Sequence, residues 1–303
     1  MKLIKRTDVT DSVLTSTNVA ENDHPAWVVG TAYAIGQKVI VVAAHKIYEA
    51  ATTSTGLYPP DNLEGVAPAW IYLGSTNAWK MFDQSYYAQT VNTGSIVVVL
   101  ELGRINSIGL MNVVASEINI KQEVGGVVVY DLDVDMRLRA VNNFYEYIYT
   151  PIELKTESVL TDLPTSGGTT LTITISGSID QEVKCGLCIP GFAIKIGDSL
   201  WGATVGTDNF SRKDRDAFGG FDILERNYSK TLSDIIVLPN EKTGYIQNLL
   251  QPYYTTPALW VADEQFEATA IYGFYRDFSI VLDHYSQSGI DGAQCSITIE
   301  GLT

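Results

Sequence analysis

The stretch Thr169-Thr170-Leu171-Thr172-Ile173-Thr174-Ile175-Ser176 alternates between two chemistries at every step. A side-chain period of two suits an extended strand with one buried face, because successive Cβ atoms point to opposite sides of a sheet. Similar alternating or β-branched runs recur at 37–43, 95–100, 116–122, 126–139, 232–238 and 295–301. The chain is therefore predicted to be mainly β. A single stretch, 240–253, reads as a helix. Asn240 can cap it and Glu241 sits in its first turn. Tyr245, Leu249 and Leu250 recur at helical spacing, Gly244 lowers its stability, and Pro252 ends it.

With 303 residues the chain exceeds one ordinary core and suits two or three domains of roughly 100–150 residues. Apolar residues make up 46% and charged ones 18%, so every part has enough buriable surface to be ordered. Composition shifts divide it. Residues 1–25 read as a polar leader. Residues 26–90 read as a small three-stranded aromatic module with a polar link. Residues 91–203, whose strands are separated by turns such as Gly125-Gly126 and Thr165-Ser166-Gly167-Gly168, read as a β-sandwich or jelly roll. Residues 204–303 follow the order strand, strand, helix, strand, strand, as for an antiparallel sheet with one packed helix.

A formal charge of −15 would repel a phosphate backbone and an anionic lipid surface, so neither nucleic acid nor a membrane is an expected partner. The segment Met1-Lys2-Leu3-Ile4-Lys5-Arg6 has the charges of a signal peptide without the apolar run of roughly 7–15 residues. The longest apolar runs, at 39–44 and 96–100, are far below the roughly 20 residues that span a bilayer. No signal, anchor or membrane insertion is expected. An odd count of three cysteines argues against a disulfide framework and for folding in a reducing cytosol.

Catalytic constellations are not marked. His24, His45 and His284 are the possible bases near neutral pH, and none lies in a metalloprotease or nucleophile-elbow motif. Surface or core roles are expected for them. Cys185-Gly186-Leu187-Cys188 has the spacing of redox and zinc sites. It is followed by Pro190-Gly191 in place of a helix and lacks a second ligand pair, so two inert thiols at a β-turn are expected. Asp131, Asp133 and Asp135 would share one face of a strand. They are weak metal candidates, since the glycine and distal glutamate of a calcium loop are missing, and the polar face of an amphipathic strand is the alternative. Paired acids for glycoside hydrolysis are not excluded by counting, but nothing marks such a pair. No phosphate-cradling glycine loop occurs, and no cofactor is expected. Arg212, Lys213 and Arg215 beside Asp214 and Asp216 read as a solvated loop or an intersubunit charge cluster.

Trp27, then Thr31-Ala32-Tyr33-Ala34-Ile35-Gly36-Gln37-Lys38-Val39-Ile40, then His45-Lys46-Ile47-Tyr48-Glu49-Ala50, Pro59-Pro60 and Trp70 form one pattern. It resembles the small chitin- and cellulose-binding modules of the family 5/12 type, over residues 26–72. The loop from 52 to 67 is longer than in the enzyme-attached modules. The resemblance implies sugar stacking by Trp27, Tyr48 and Trp70, with Trp79 as an addition, because the C–H face of a pyranose suits a flat π surface. In a unit this small the same aromatics also serve as core.

The phrase Ala69-Trp70-Ile71-Tyr72-Leu73-Gly74-Ser75-Thr76-Asn77-Ala78-Trp79-Lys80-Met81-Phe82-Asp83 looks like a segment of phage tail proteins. Asp208-Asn209-Phe210-Ser211-Arg212-Lys213-Asp214, Phe218-Gly219-Gly220-Phe221-Asp222, Arg226-Asn227-Tyr228-Ser229-Lys230, Pro257-Ala258-Leu259-Trp260 and Tyr272-Gly273-Phe274-Tyr275-Arg276-Asp277-Phe278 are similar to C-terminal regions of phage tail and baseplate proteins. These resemblances imply a non-enzymatic structural component of a tail tip or baseplate. Such a part is located in the virion, assembled in the host cytoplasm, and repeated as a homo-oligomer in a symmetric ring with other tail proteins as partners. The alternative is an adhesion protein binding a host-surface glycan. A polysaccharide-degrading tail enzyme stands third.

Overall fold

A computed structural model describes residues 1–138, 143–149, 153–178, 180–200, 202–215, 218–282 and 292–302. The fold is mainly β, as the alternation predicts. A five-stranded antiparallel sheet has the order Val127–Asp135, Glu117–Val124, Thr169–Ser176, Ser95–Leu102, Leu14–Thr17. Its inner face is built in rows. Ile118 lies opposite Ile175, which lies opposite Ile96; Ile120, Ile173 and Val98 make the next row. All six are buried, and each contributes about 1.5–3 kcal/mol relative to exposure. Gly125 and Gly126, both at positive φ, close the hairpin between Glu117–Val124 and Val127–Asp135, which is the geometry a two-residue hairpin loop requires.

That inner face packs on one end of a larger, eleven-stranded sheet. Ile108, Leu110 and Val113 of the strand Ser107–Val114 and Val183, Cys185 and Cys188 of the strand Glu182–Lys195 complete the shared core. Beyond these the larger sheet continues through Lys2–Arg6, Ala258–Val261, Ala270–Val281, Ala293–Gly301 and Tyr228–Leu238. The expected sandwich and the expected C-terminal sheet thus share one set of hydrogen-bonded strands.

Part of the stretch 1–25, expected as a polar leader, is built into the larger sheet. Lys2–Arg6 is an interior strand, paired with Glu182–Lys195 on one side and Ala258–Val261 on the other. Leu3 lies opposite Trp260 and packs under the helix, while Ile4 lies opposite Leu259 and packs on the other face. Both are fully buried. The charges that make this segment look polar sit at its ends. Lys2 reaches Thr161 and Glu264, and Arg6 donates to the carbonyls of Phe82 and Asp83.

The predicted helix is a continuous helical run: a 3-10 turn Asn240–Lys242, the α-helix Thr243–Leu250 and a second 3-10 turn Gln251–Tyr254. Ile246 and Leu250, four residues apart, are buried against the sheet, whereas Tyr245 is exposed. Asn240 does not act as the expected cap; its carbonyl accepts the Thr243 hydroxyl instead. Pro252 does not stop the run but enters the last turn, which carries Tyr253 edge-on to Trp260.

Lys38–Val41, Lys46–Ala50 and Trp70–Ser75 form the three-stranded sheet of the small module. Its core consists of Tyr33, Val39, Val41, Tyr48, Ala50, Ala69 and Trp70. The chain then passes into the sandwich, where Ala78, Met81 and Phe82 are buried in the shared core.

Candidate functional site

The four aromatic residues expected to stack on sugar do not form a platform. Tyr48 is 2% and Trp70 1% exposed. Trp70 meets Tyr33 edge to face at 5.3 Å and donates its indole N–H to the Leu57 carbonyl at 3.0 Å. Sugar stacking by these two would require opening the module's core, because so small a sheet uses its largest rings for packing. Trp27 is half-buried, edge-on to Tyr58 at 5.1 Å. Trp79 lies elsewhere, at the junction with the sandwich, with Phe82 at its edge.

Trp79 stacks on His45, with ring centroids 4.1 Å apart. His45 sits at a left-handed φ of 52° between Val42–Ala44 and Lys46–Ala50. Its Nδ1 lies 3.0 Å from Glu21 Oε1 and its Nε2 2.6 Å from Asp11 Oδ1. Thr76 donates its hydroxyl to the same Glu21 oxygen, and the Asn77 backbone N–H donates to Asp23. With both ring nitrogens committed to carboxylates, the imidazole directs no lone pair at a substrate. The cluster ties residues 11–23 to the module and holds it on the sandwich. His24 is half-buried beside Pro25; His284 lies outside the described residues.

Asp131, Asp133 and Asp135 are exposed on the outer face of their strand. The Asn119 amide donates to both Asp131 and Asp133 at 2.8 Å, and Asp135 pairs with Arg137 at 2.9 Å. Among the described residues no group of three or more His, Cys, Asp or Glu side chains is placed to hold a metal. Cys185 and Cys188 are not at a turn. They are free thiols inside the strand Glu182–Lys195, and burial pushes Cys188 up to about 12 and Cys185 well above the usual thiol range. Thiols held protonated in this way are poor nucleophiles and poor ligands.

Two further segments project with exposed apolar side chains, and the sequence marks the turn of the hairpin but not the helix. A helix, Phe144–Tyr149, stands between the short paired strands Arg137–Leu138 and Glu153–Leu154 and exposes Phe144, Tyr145, Ile148 and Tyr149. A hairpin of Arg212–Arg215 and Phe221–Leu224 exposes every strand residue, including Phe221, Ile223 and Leu224. Arg212 pairs with Asp214 at 2.7 Å and Arg215 lies over the Phe221 ring, while Asp216 of the expected charge cluster lies outside the described residues. The signal in the sequence is the largely apolar run Phe221-Asp222-Ile223-Leu224, whose side chains stay exposed.

No protein-family model, curated protein or solved structure matches the chain. The resemblances to sugar-binding modules and to tail proteins therefore rest on the residues quoted for them.

Proposed function

We propose that the chain is a non-enzymatic structural component of a phage tail tip or baseplate, present in several symmetry-related copies that contact one another through the two projecting segments. The observation that carries this reading is the hairpin 212–224. None of its eight strand positions is buried, and a two-stranded hairpin without a core is at best marginally stable in water. Exposed Phe221, Ile223 and Leu224 are what an interface provides before its partner arrives. The occupant we assign is a second copy of the chain. Residues 212–224 carry three bases and three acids and are neutral in a chain of −15, so the hairpin approaches another copy without the like-charge repulsion the rest of the surface meets. One patch meeting a different patch on the next copy closes into a ring when the rotation allows.

The test pairs location with assembly. Mass spectrometry of purified virions should find the chain at ring-like stoichiometry. Light scattering of the purified chain should give an integer multiple of the monomer mass that collapses to monomer in the Phe221→Ser, Ile223→Ser double variant, with the circular dichroism unchanged. A chain absent from particles and monomeric at every concentration would sink the proposal. Release of reducing ends from host polysaccharide would contradict its non-enzymatic part.

A further inference from the structure

Beyond Phe82 the chain does not leave the molecule as a loose link. Tyr86 and Tyr87 fold back over the larger sheet and meet Glu157 of the strand Glu157–Leu160 and Asn227, Tyr228 and Lys230 at the start of Tyr228–Leu238, around a cavity of about 290 Å³. The wall behind Tyr86 is pre-organised. Asn112, at a left-handed φ of 54°, donates its side-chain amide to the Tyr86 carbonyl at 2.9 Å and accepts the Gln89 amide at both its oxygens at 3.0 Å. Across from it stands Gly186, where an added Cβ would come within 2.8 Å of the Asn112 Cβ and 2.9 Å of the Tyr86 carbonyl. A glycine is required for the close approach that sets this wall.

The polar groups converge. Glu157 is buried and accepts Lys230 Nζ at 2.5 Å. Burial, and next the Glu157 charge, push the Tyr86 phenol far above its ordinary range, which keeps it neutral. The Asn227 amide donates to the Tyr87 hydroxyl at 3.2 Å. Tyr87 and Tyr228 are each more than half exposed.

We infer that this cavity binds a neutral pyranose ring. Tyrosine rings offer flat π surfaces to the C–H face of a sugar. Glu157, Lys230 and Asn227 supply acceptors and donors for its hydroxyls, and the volume is near the lower end for small-molecule pockets, roughly 300 Å³. The Glu157 carboxylate is balanced by Lys230, and the chain carries −15. A phosphate or an acidic sugar would find no surplus cation here. The site is separate from the aromatic module and does not depend on ring assembly, since it lies within one chain.

The test uses the full chain and ligand-observed NMR titrations with glucose, galactose and N-acetylglucosamine, with inorganic phosphate as the anionic comparison. At least one sugar should bind saturably with a Kd on the order of 1 mM. Tyr228→Ala and Tyr87→Ala should each weaken it by about tenfold or more, a loss of roughly 1.4 kcal/mol. Tyr228→Phe should retain binding, and Trp27→Ala should leave it unchanged. Thermal melts identify any variant that fails to fold, and the other then carries the test. Absence of saturable binding by all three sugars, binding untouched by both alanine variants, or tighter binding of phosphate would each overturn the assignment. Loss of particle association with sugar binding intact would count against the assembly proposal alone.

Discussion

Cys185, Cys188 and Cys295 are buried thiols in strands of the larger sheet. Burial raises all three, Cys188 and Cys295 to about 12 from an ordinary value of 9.0. In the unfolded chain they ionise near 9, while in the folded chain they stay protonated. Their contribution to stability is therefore fully present below pH 9 and is lost as pH rises toward 12. Each thiol gives a slope of up to about 1.4 kcal/mol per pH unit in that window. Urea melts at pH 8, 9 and 10 should show the midpoint falling only above 9, and a Cys188→Ala, Cys295→Ala variant should flatten that fall. The residue types were legible here but not their setting. Cys185-Gly186-Leu187-Cys188 with Pro190 and Gly191 reads as a turn because the strand Glu182–Lys195 is buried on both faces near its middle and shows no alternation. The aromatic residues erred in the opposite direction. Trp70 and Tyr48 carry the pattern of the small module, and that pattern belongs to its core as much as to a surface.

The helix Thr243–Leu250 shows how far periodicity reaches at the scale of an element. Its existence was legible from Leu249, Leu250 and the spacing around them, and its inward face is the row Ile246 and Leu250. Ile246→Ala should cost about 2–5 kcal/mol, as large-to-small changes in cores do. Tyr245→Ala, one residue away on the exposed side, should stay within about 0.5 kcal/mol. Denaturant titration of the two variants checks the assignment, and equal losses would show that the helix does not dock as described. The half-buried strands were the most legible elements, since Ser95–Leu102, Glu117–Val124 and Thr169–Ser176 bury alternate residues along their length. The hairpin 212–224 was legible as a turn at Gly219-Gly220 but not as a projection, because a sequence does not state whether an apolar run has its cover within the same chain. The tyrosine cavity was not legible at all. Its members come from 86–87, 112, 156–157, 227–228 and 230, and only the strand order brings them together.

For the whole molecule, composition suggested boundaries that the sheet crosses. The link near residue 203 falls between Asp198–Ser199 and Thr204–Asn209, and both of these pair with Tyr228–Leu238. A boundary drawn there cuts a continuous sheet. The fragment 1–203 would leave Lys2–Arg6 without Ala258–Val261, exposing Leu3 and Ile4 where Trp260 and Leu259 lie beside them. It should bind a hydrophobic dye and melt without a sharp transition, whereas the full chain should lose its β signal cooperatively. A fragment that melts as sharply as the parent, at the same temperature, would show that the two halves of the sheet are energetically separate. What a linear reading missed is long-range pairing, which contributes nothing to local pattern and a large share of the native contacts.

The placement of Lys2–Arg6 also orders events during synthesis. This strand leaves the ribosome well before Ala258–Val261, which it needs for its second edge. At about 5–20 residues per second, an interval of roughly ten to fifty seconds passes in which the strand has at most one neighbour. The sheet therefore cannot be sealed piece by piece as translation proceeds. Its seam with Ala258–Val261 closes only after that strand has emerged, and until then the nascent protein must be kept from pairing that open edge with another chain.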